Sequence, residues 1–208
     1  MMNNHSKLAK SLIFIGILTL TSCQPNIAVE AESPITIDVS QVGISKNNFI
    51  IENGVSEYKI VIPALASGTI ELAAKELQFF FHEASAINLP IIRDTNLIYH
   101  SHSKFISLGD TNLFYQTKIS KSENLGPSGV QIETLNQSIF LLGGDEKGVL
   151  NATYDLLSAL FNFEYFGNEC YSLDRNVSSL RLRLFHHFID QPDIPYRMST
   201  SGTNTYNL

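Results

Sequence analysis

The chain reads as an α/β domain, a mixed β-sheet with helices packed on it. Three observations lead there. Short apolar runs alternate with two longer segments whose apolar residues recur at helical spacing. One run, SIFLLGG from Ser138 to Gly144, is apolar almost throughout, as a central strand covered on both faces is. That run opens the stretch Ser138 to Gly167, in which a strand, a double-glycine turn, an amphipathic helix and a second strand follow one another without a break. In 208 residues, 44% hydrophobic and 16% charged side chains suffice for one real core, and no internal repeat or low-complexity run competes with that reading.

The elements follow in order. From Phe49 the pattern is β: FII, an Asn53-Gly54 pair, then YKIVIP. Asn-Gly between apolar runs predicts a hairpin, because a type I′ turn needs positive φ at both central residues. Residues 70–87 form the first long helix, with Ile70, Ala73, Ala74, Leu77, Phe80, Phe81 and Ala84 on one face. Glu71, Lys75, Gln78, His82 and Ser85 occupy the other face, Glu71 and Lys75 as an i,i+4 pair, with Thr69 as the expected N-cap. PIIRD is a short strand, TNLIYHSHS a loop, and residues 104–110 a strand ending at Gly109, followed by a short helix near Asn112 to Gln116. KISKSENLGPS is a polar surface loop. GVQIET alternates as a half-buried strand does, and Asn136-Gln137 turns it into SIFLLGG. The helix over 147–161 buries Val149, Leu150, Thr153, Leu156, Leu157, Leu160 and Phe161 and wets Asn151, Asp155 and Ser158. FEYFG is its exit strand, ECYSL and SLRLRLFHHF are extended, and the tail from Gln191 has no periodicity.

Residues 1–22 stand apart. His5, Lys7 and Lys10 precede the apolar core Leu12 to Leu20, whose nine residues cover about half of the roughly 20 a bilayer span needs. The segment is a signal peptide, and Leu20-Thr21-Ser22-Cys23 resembles the lipobox of bacterial lipoproteins. That resemblance implies a diacylglycerol on Cys23, a polar tether over 23–34, and an outer-membrane or cell-surface address, since Gln24 is not the inner-membrane retention aspartate. Without residues 1–22 the chain keeps 12 basic and 20 acidic residues, net −8. A net acidic domain without a basic run is a poor partner for nucleic acid or anionic headgroups. Cys170 is then the one remaining cysteine and is expected as a packed thiol.

The candidate chemistry is thin. The turn after SIFLL invites a phosphate-binding reading and fails it. A dinucleotide fingerprint from Gly143 needs glycine at position 145 and finds Asp145; a P-loop needs Lys and Ser/Thr after Gly148 and finds Val149 and Leu150. Asp145 is instead expected to cap the helix, with Glu146 at its positive end. His100 and His102, and His186 and His187, are pairs without a third ligand at metal-site spacing, so neither metal nor cofactor is expected. No nucleophile motif occurs, and no carboxylate pair among the acids is singled out as a glycosidase pair.

In this order the pieces resemble a known family. AAKELQFFFHEASAINLPI, KFISLGD, GVQIETLNQSIFLLGGDEKGVLNATYDLLSALFNFEYF and QPDIPYR together are similar to the N-terminal domain of glycoside hydrolase family 67 α-glucuronidases and related bacterial lipoproteins. They are similar too to the second domain of β-N-acetylhexosaminidases. The resemblance implies an accessory α/β domain over 35–190, abutting a catalytic (β/α)8 barrel in the same or a neighbouring chain. It makes 191–208 the linker to that barrel, which this chain, ending at Leu208, is expected to lack. It also implies a sugar-holding role for Arg197, although the aspartate that should follow is missing. No catalytic residue is expected within this chain. The expected function is a lipid-anchored, non-catalytic accessory domain of a carbohydrate-degrading glycosidase. The alternative is a stand-alone surface glycan-binding lipoprotein, for which Tyr99, Tyr115, Tyr171 and Tyr206 would be the aromatics available to stack on sugar rings.

Overall fold

The computed structural model describes residues 42–167 and 170–191. The chain divides into two units, Met1–Pro34 and Ile35–Leu208, and the account below concerns the second. Its centre is a six-stranded mixed sheet in the order β10-β5-β6-β4-β2-β3. β2 (Lys59–Ile62), β3 (Ile91–Arg93), β4 (Phe105–Leu108) and β6 (Ser138–Gly143) run parallel. β5 (Val130–Leu135) lies antiparallel to β6, and β10 (Phe188–Asp190) antiparallel to β5. The expected α/β class is therefore the observed one.

Two helices cover one face, α1 (Gly68–Ser85) and α3 (Glu146–Phe161). Alternation along the strands sorts the core. Ile60, Ile62, Ile106, Leu108, Ile139 and Leu141 pack towards the helices. Val61, Phe140 and Leu142 pack the other way with Leu113 and Phe114 of the one-turn helix α2 (Asn112–Tyr115). All six residues of β6 are buried, as a strand apolar on both sides must be. The buried face of α1 is the expected one, residue for residue. α3 buries its expected face too, with Gly148 and Ala152 added and Leu150 at the margin.

Local chemistry moves some boundaries. Ser67, not Thr69, caps α1, its hydroxyl accepting from the Ile70 amide at 3.3 Å. A cap needs extended backbone, and the chain turns helical at Gly68. Asp145 caps α3 as expected, with Gly148 N–H donating to it at 2.8 Å. α1 and α3 end on left-handed residues, Ala86 and Asn162.

The Asn53-Gly54 pair forms its turn, with φ of 51° and 77°, and closes one antiparallel bridge between Glu52 and Val55, but the flanking strands do not pair as the expected hairpin would. β1 (Val42–Ile51) pairs with β9 (Leu180–Phe185) in a separate two-stranded sheet, while β2 enters the main sheet. Ile60, Val61 and Ile62 are all buried, and only an interior position covers both faces of that strand. Tyr58 fixes the departure: it is buried, and its hydroxyl donates to the Gln137 carbonyl at 2.6 Å.

Gln131 corrects the half-buried reading of β5. It is fully buried, and its amide donates to the Ser120 carbonyl and Glu133 while accepting from the Ser122 amide. A buried carboxamide needs such partners, and they come from the segment over 118–128, which therefore packs on the sheet.

Candidate functional site

In open α/β sheets, ligands gather at the carboxyl ends of the strands where the winding direction reverses. Here α1 carries the chain from β2 to β3 on one side, and the next parallel strand, β4, lies on the other side of β2. The reversal falls between β2 and β4. A cavity of about 220 Å³ opens there, lined by Ser67, Ile70, Gly109, Asp110, Lys121 and Asp145 among others. The amino ends of α1 and α3 both face this edge.

Most polar groups at the edge have internal work, while Glu146, in the first turn of α3, is exposed. Asp145 accepts from Gly148 N–H and from Ser128 N–H at 3.1 Å. Lys121 pairs with Asp110 at 3.3 Å. The Ser67 hydroxyl caps α1. The buried Asp94 accepts from Ala64 N–H at 2.8 Å and from Asn112 N–H at 2.6 Å, tying the β2–α1 loop to α2. The Arg93 guanidinium donates to the Pro63 and Ala64 carbonyls and pairs with Glu71 at 2.6 Å, so the expected Glu71–Lys75 pair does not form.

The glycines of the turn now have a cause. A Cβ on Gly144 would lie 2.1 Å from the Gly126 carbonyl oxygen, and one on Gly148 would lie 2.3 Å from that of Gly129. Gly144 N–H donates to the Gly129 carbonyl at 2.9 Å. Backbone does approach this turn closely, as it would approach a phosphate, but it is the chain's own 126–129 segment. Asp110, Asp145 and Glu146 around the cavity would repel an anion. The edge is a closed, tied surface.

The other candidates scatter. Cys23, Arg197 and Tyr206 lie outside the described residues. The rings of His100 and His102 stack at 5.6 Å on an exposed loop, and His187 Nδ1 lies 2.7 Å from Glu133 Oε1. Among the described residues no group of three or more His, Cys, Asp or Glu could hold a metal ion, and no helix is long and apolar enough to cross a membrane. Cys170 is not the expected packed thiol: it is half-buried and disulfide-bonded.

Among the aromatics proposed for stacking, Tyr115 is open at 67% exposure. Tyr99 is held by the Leu135 carbonyl, and Tyr171 packs on Phe80 and Phe163. Three further rings are open: Phe79 on α1 (52%), which helical spacing sets beside Lys75, Gln78 and His82 of the wet face, and Tyr165 (62%) and Phe166 (68%) on β7 (Glu164–Gly167). β7, the expected exit strand, pairs with β8 (Cys170–Ser172) in a two-stranded ribbon outside the six-stranded sheet.

Asp155 was also missed. Expected on the wet side of α3, it is half-buried, and burial together with the charge of Asp190 pushes its carboxyl up to about 7. The signal that could have found it is its place one turn after buried Ala152 and beside Leu156.

No protein-family model and no curated protein matches this chain. Among solved structures it is similar to a family GH115 4-O-methyl-α-glucuronidase with specificity for decorated arabinogalactans. That match has 14% identity and a TM-score of 0.37, over 53% of this chain and 14% of the enzyme. It is also similar to a GH138 enzyme targeting pectin rhamnogalacturonan II, at 15% identity and a TM-score of 0.31, over 48% of this chain and 9% of that one. The matched region is thus a small part of two much longer glycoside hydrolase chains, and the likeness is distant.

Proposed function

We propose that this chain is a non-catalytic accessory domain of a carbohydrate-degrading glycoside hydrolase of the α-glucuronidase type. A lipid on Cys23 holds it at the bacterial outer membrane. It presents the carboxyl-terminal edge of its sheet to a catalytic (β/α)8 barrel in the same or a neighbouring chain. The observation that carries this reading is the path of the chain. β10 ends at Asp190, opposite Val130, which itself pairs with Gly143 at the end of β6. Gln191 is fastened beside it, donating to the Asn124 carbonyl at 2.6 Å. The described fold therefore ends on the edge that carries the cavity, and the rest of QPDIPYR, with Arg197, follows in sequence. An edge most of whose polar groups are engaged within the fold suits docking rather than turnover.

Assays of the purified protein on glucuronoxylan and aryl glycosides test the reading; no sugar release is expected, and release would sink it. The anchor has its own test. Intact mass spectrometry of membrane-extracted protein is expected to show a diacylglyceryl adduct on Cys23. A delipidated mass that rises only on reduction would remove the anchor from the proposal.

A further inference from the structure

The outer face of α1 carries side chains that the fold leaves largely unengaged. Lys75, Gln78, Phe79 and His82 recur at i, i+3, i+4 and i+7, which places them on one stripe. With Asn88, just beyond the helix, they line a shallow concavity of about 230 Å³. Drug-sized pockets run to roughly 300–1,000 Å³, so this one is sized for a single ring.

Its lining is chemically one-sided. It offers one ammonium, one imidazole, two carboxamides and one phenyl face, and no carboxylate. That is unusual on a chain with 20 acids against 14 basic residues. The reason is visible along the helix, where all three glutamates are engaged elsewhere. Glu71 is taken by Arg93 and Glu83 by Arg175, each at 2.6 Å, and Glu76 accepts from the Tyr154 hydroxyl at 3.4 Å. Lys75 is thereby left without its helical partner. Among the described residues, the side chains of Lys75, His82 and Asn88 make no hydrogen bond or ion pair. Gln78 is held by one bond, from its Nε2 to the Leu89 carbonyl at 2.6 Å, which leaves its amide oxygen for a ligand.

The ring at the centre is pre-set. Phe79 is 52% exposed and meets Phe80 edge-on at 5.0 Å. Phe80 is itself buried against Phe163 and Tyr171. The phenyl face is electron-rich and attracts the weakly positive axial C–H groups of a pyranose. The amides and imidazole can bond ring hydroxyls, and an imidazole keeps at least one N–H donor in either charge state. The Lys75 ammonium supplies a point charge for an anionic substituent.

We propose that this concavity is a binding subsite for an acidic pyranosyl unit, with Phe79 as the stacking platform and Lys75 as the counter-ion. The subsite is separate from the sheet edge and does not depend on the accessory-domain reading. Its test uses the protein as purified from cells, titrated with oligogalacturonides and with cello-oligosaccharides of equal length. Calorimetry and amide NMR follow the binding. The acidic series is expected to bind at least about fivefold tighter at low salt, with that margin lost near about 0.5 M NaCl. The first amides to shift are those between Lys75 and Asn88. Phe79→Ala is expected to weaken binding about tenfold or more, and Lys75→Gln to abolish the preference for acid. The melting temperature of Phe79→Ala should stay at the wild-type value, which separates a lost contact from a lost fold. Equal affinity for both series, or no shift on α1 at millimolar ligand, overturns the proposal. So does binding that survives Phe79→Ala. Light scattering that shows a dimer dissolved by Phe79→Ala would give the face to a second copy of the chain instead.

Discussion

The glycine turn after β6 and the outer face of α1 make opposite impressions in sequence and in structure. The turn invites a motif reading, and its glycines and Asp145 are all committed within the fold. Gly143, Gly144 and Gly148 are glycines because backbone passes within van der Waals range, and Asp145 serves two amides at once. The helix face carries no motif, yet its lysine, histidine and asparagine side chains have no partner among the described residues. What distinguishes a candidate binding surface here is the hydrogen-bonding capacity left after folding, and a motif does not report it.

Substitutions can break that contrast, and the largest effect belongs to the turn. Gly144→Ala would put a methyl 2.1 Å from the Gly126 carbonyl, so the 126–129 segment must move off the turn. A loss of more than about 3 kcal/mol is expected in urea unfolding, or failure to fold. A tolerated alanine would mean that the segment is not seated there.

Next comes Asp155, near neither region. Its folded-state carboxyl titrates at about 7, against an ordinary value of 3.8. Between those two pH values the native state holds the proton more tightly than the unfolded chain does. Stability therefore falls as pH rises through that window and is level above it. Asp155→Asn should leave stability near pH 4 unchanged and raise it above neutrality by about 1–3 kcal/mol, after discounting for partial solvation. Melting curves across the window check this, and parallel wild-type and variant profiles would refute it.

Asp145→Ala removes the α3 cap and the bond to Ser128. About 1–2 kcal/mol is expected, with hydrogen exchange accelerated in the first turn of α3 and around Ser128. The smallest effect belongs to the helix face: Phe79→Ala should change stability by no more than about 0.5 kcal/mol. A larger loss would show that the ring is structural, and the contrast would weaken accordingly.

Local periodicity made much of the fold legible. The buried faces of α1 and α3, the doubly covered β6 and the Asp145 cap each follow from spacing within one segment. The pairings did not follow. FII and YKIVIP flank a turn with positive φ at both Asn53 and Gly54 and still part company beyond the Glu52–Val55 bridge. Whether adjacent strands pair depends on where each can bury both faces, and β2 finds that place only between β4 and β3. Gln131 looked like the wet half of an alternating strand because its partners, Ser120 and Ser122, come from a polar loop that periodicity cannot fold onto the sheet. Glu71 had Lys75 at the ideal helical spacing and was taken instead by Arg93, 22 residues on.

The sequence by itself determined the class of fold, the inward faces of its helices and the absence of a phosphate-binding pattern at the turn. These are properties of neighbours along the chain, set by helical and strand repeat and by which residue types can cap or turn. Tertiary structure alone decided which strand pairs with which, what fills the glycine turn and which charges of α1 are left unengaged. Those depend on groups far apart in sequence competing for one partner, and the winner is chosen by distance and burial in the folded chain.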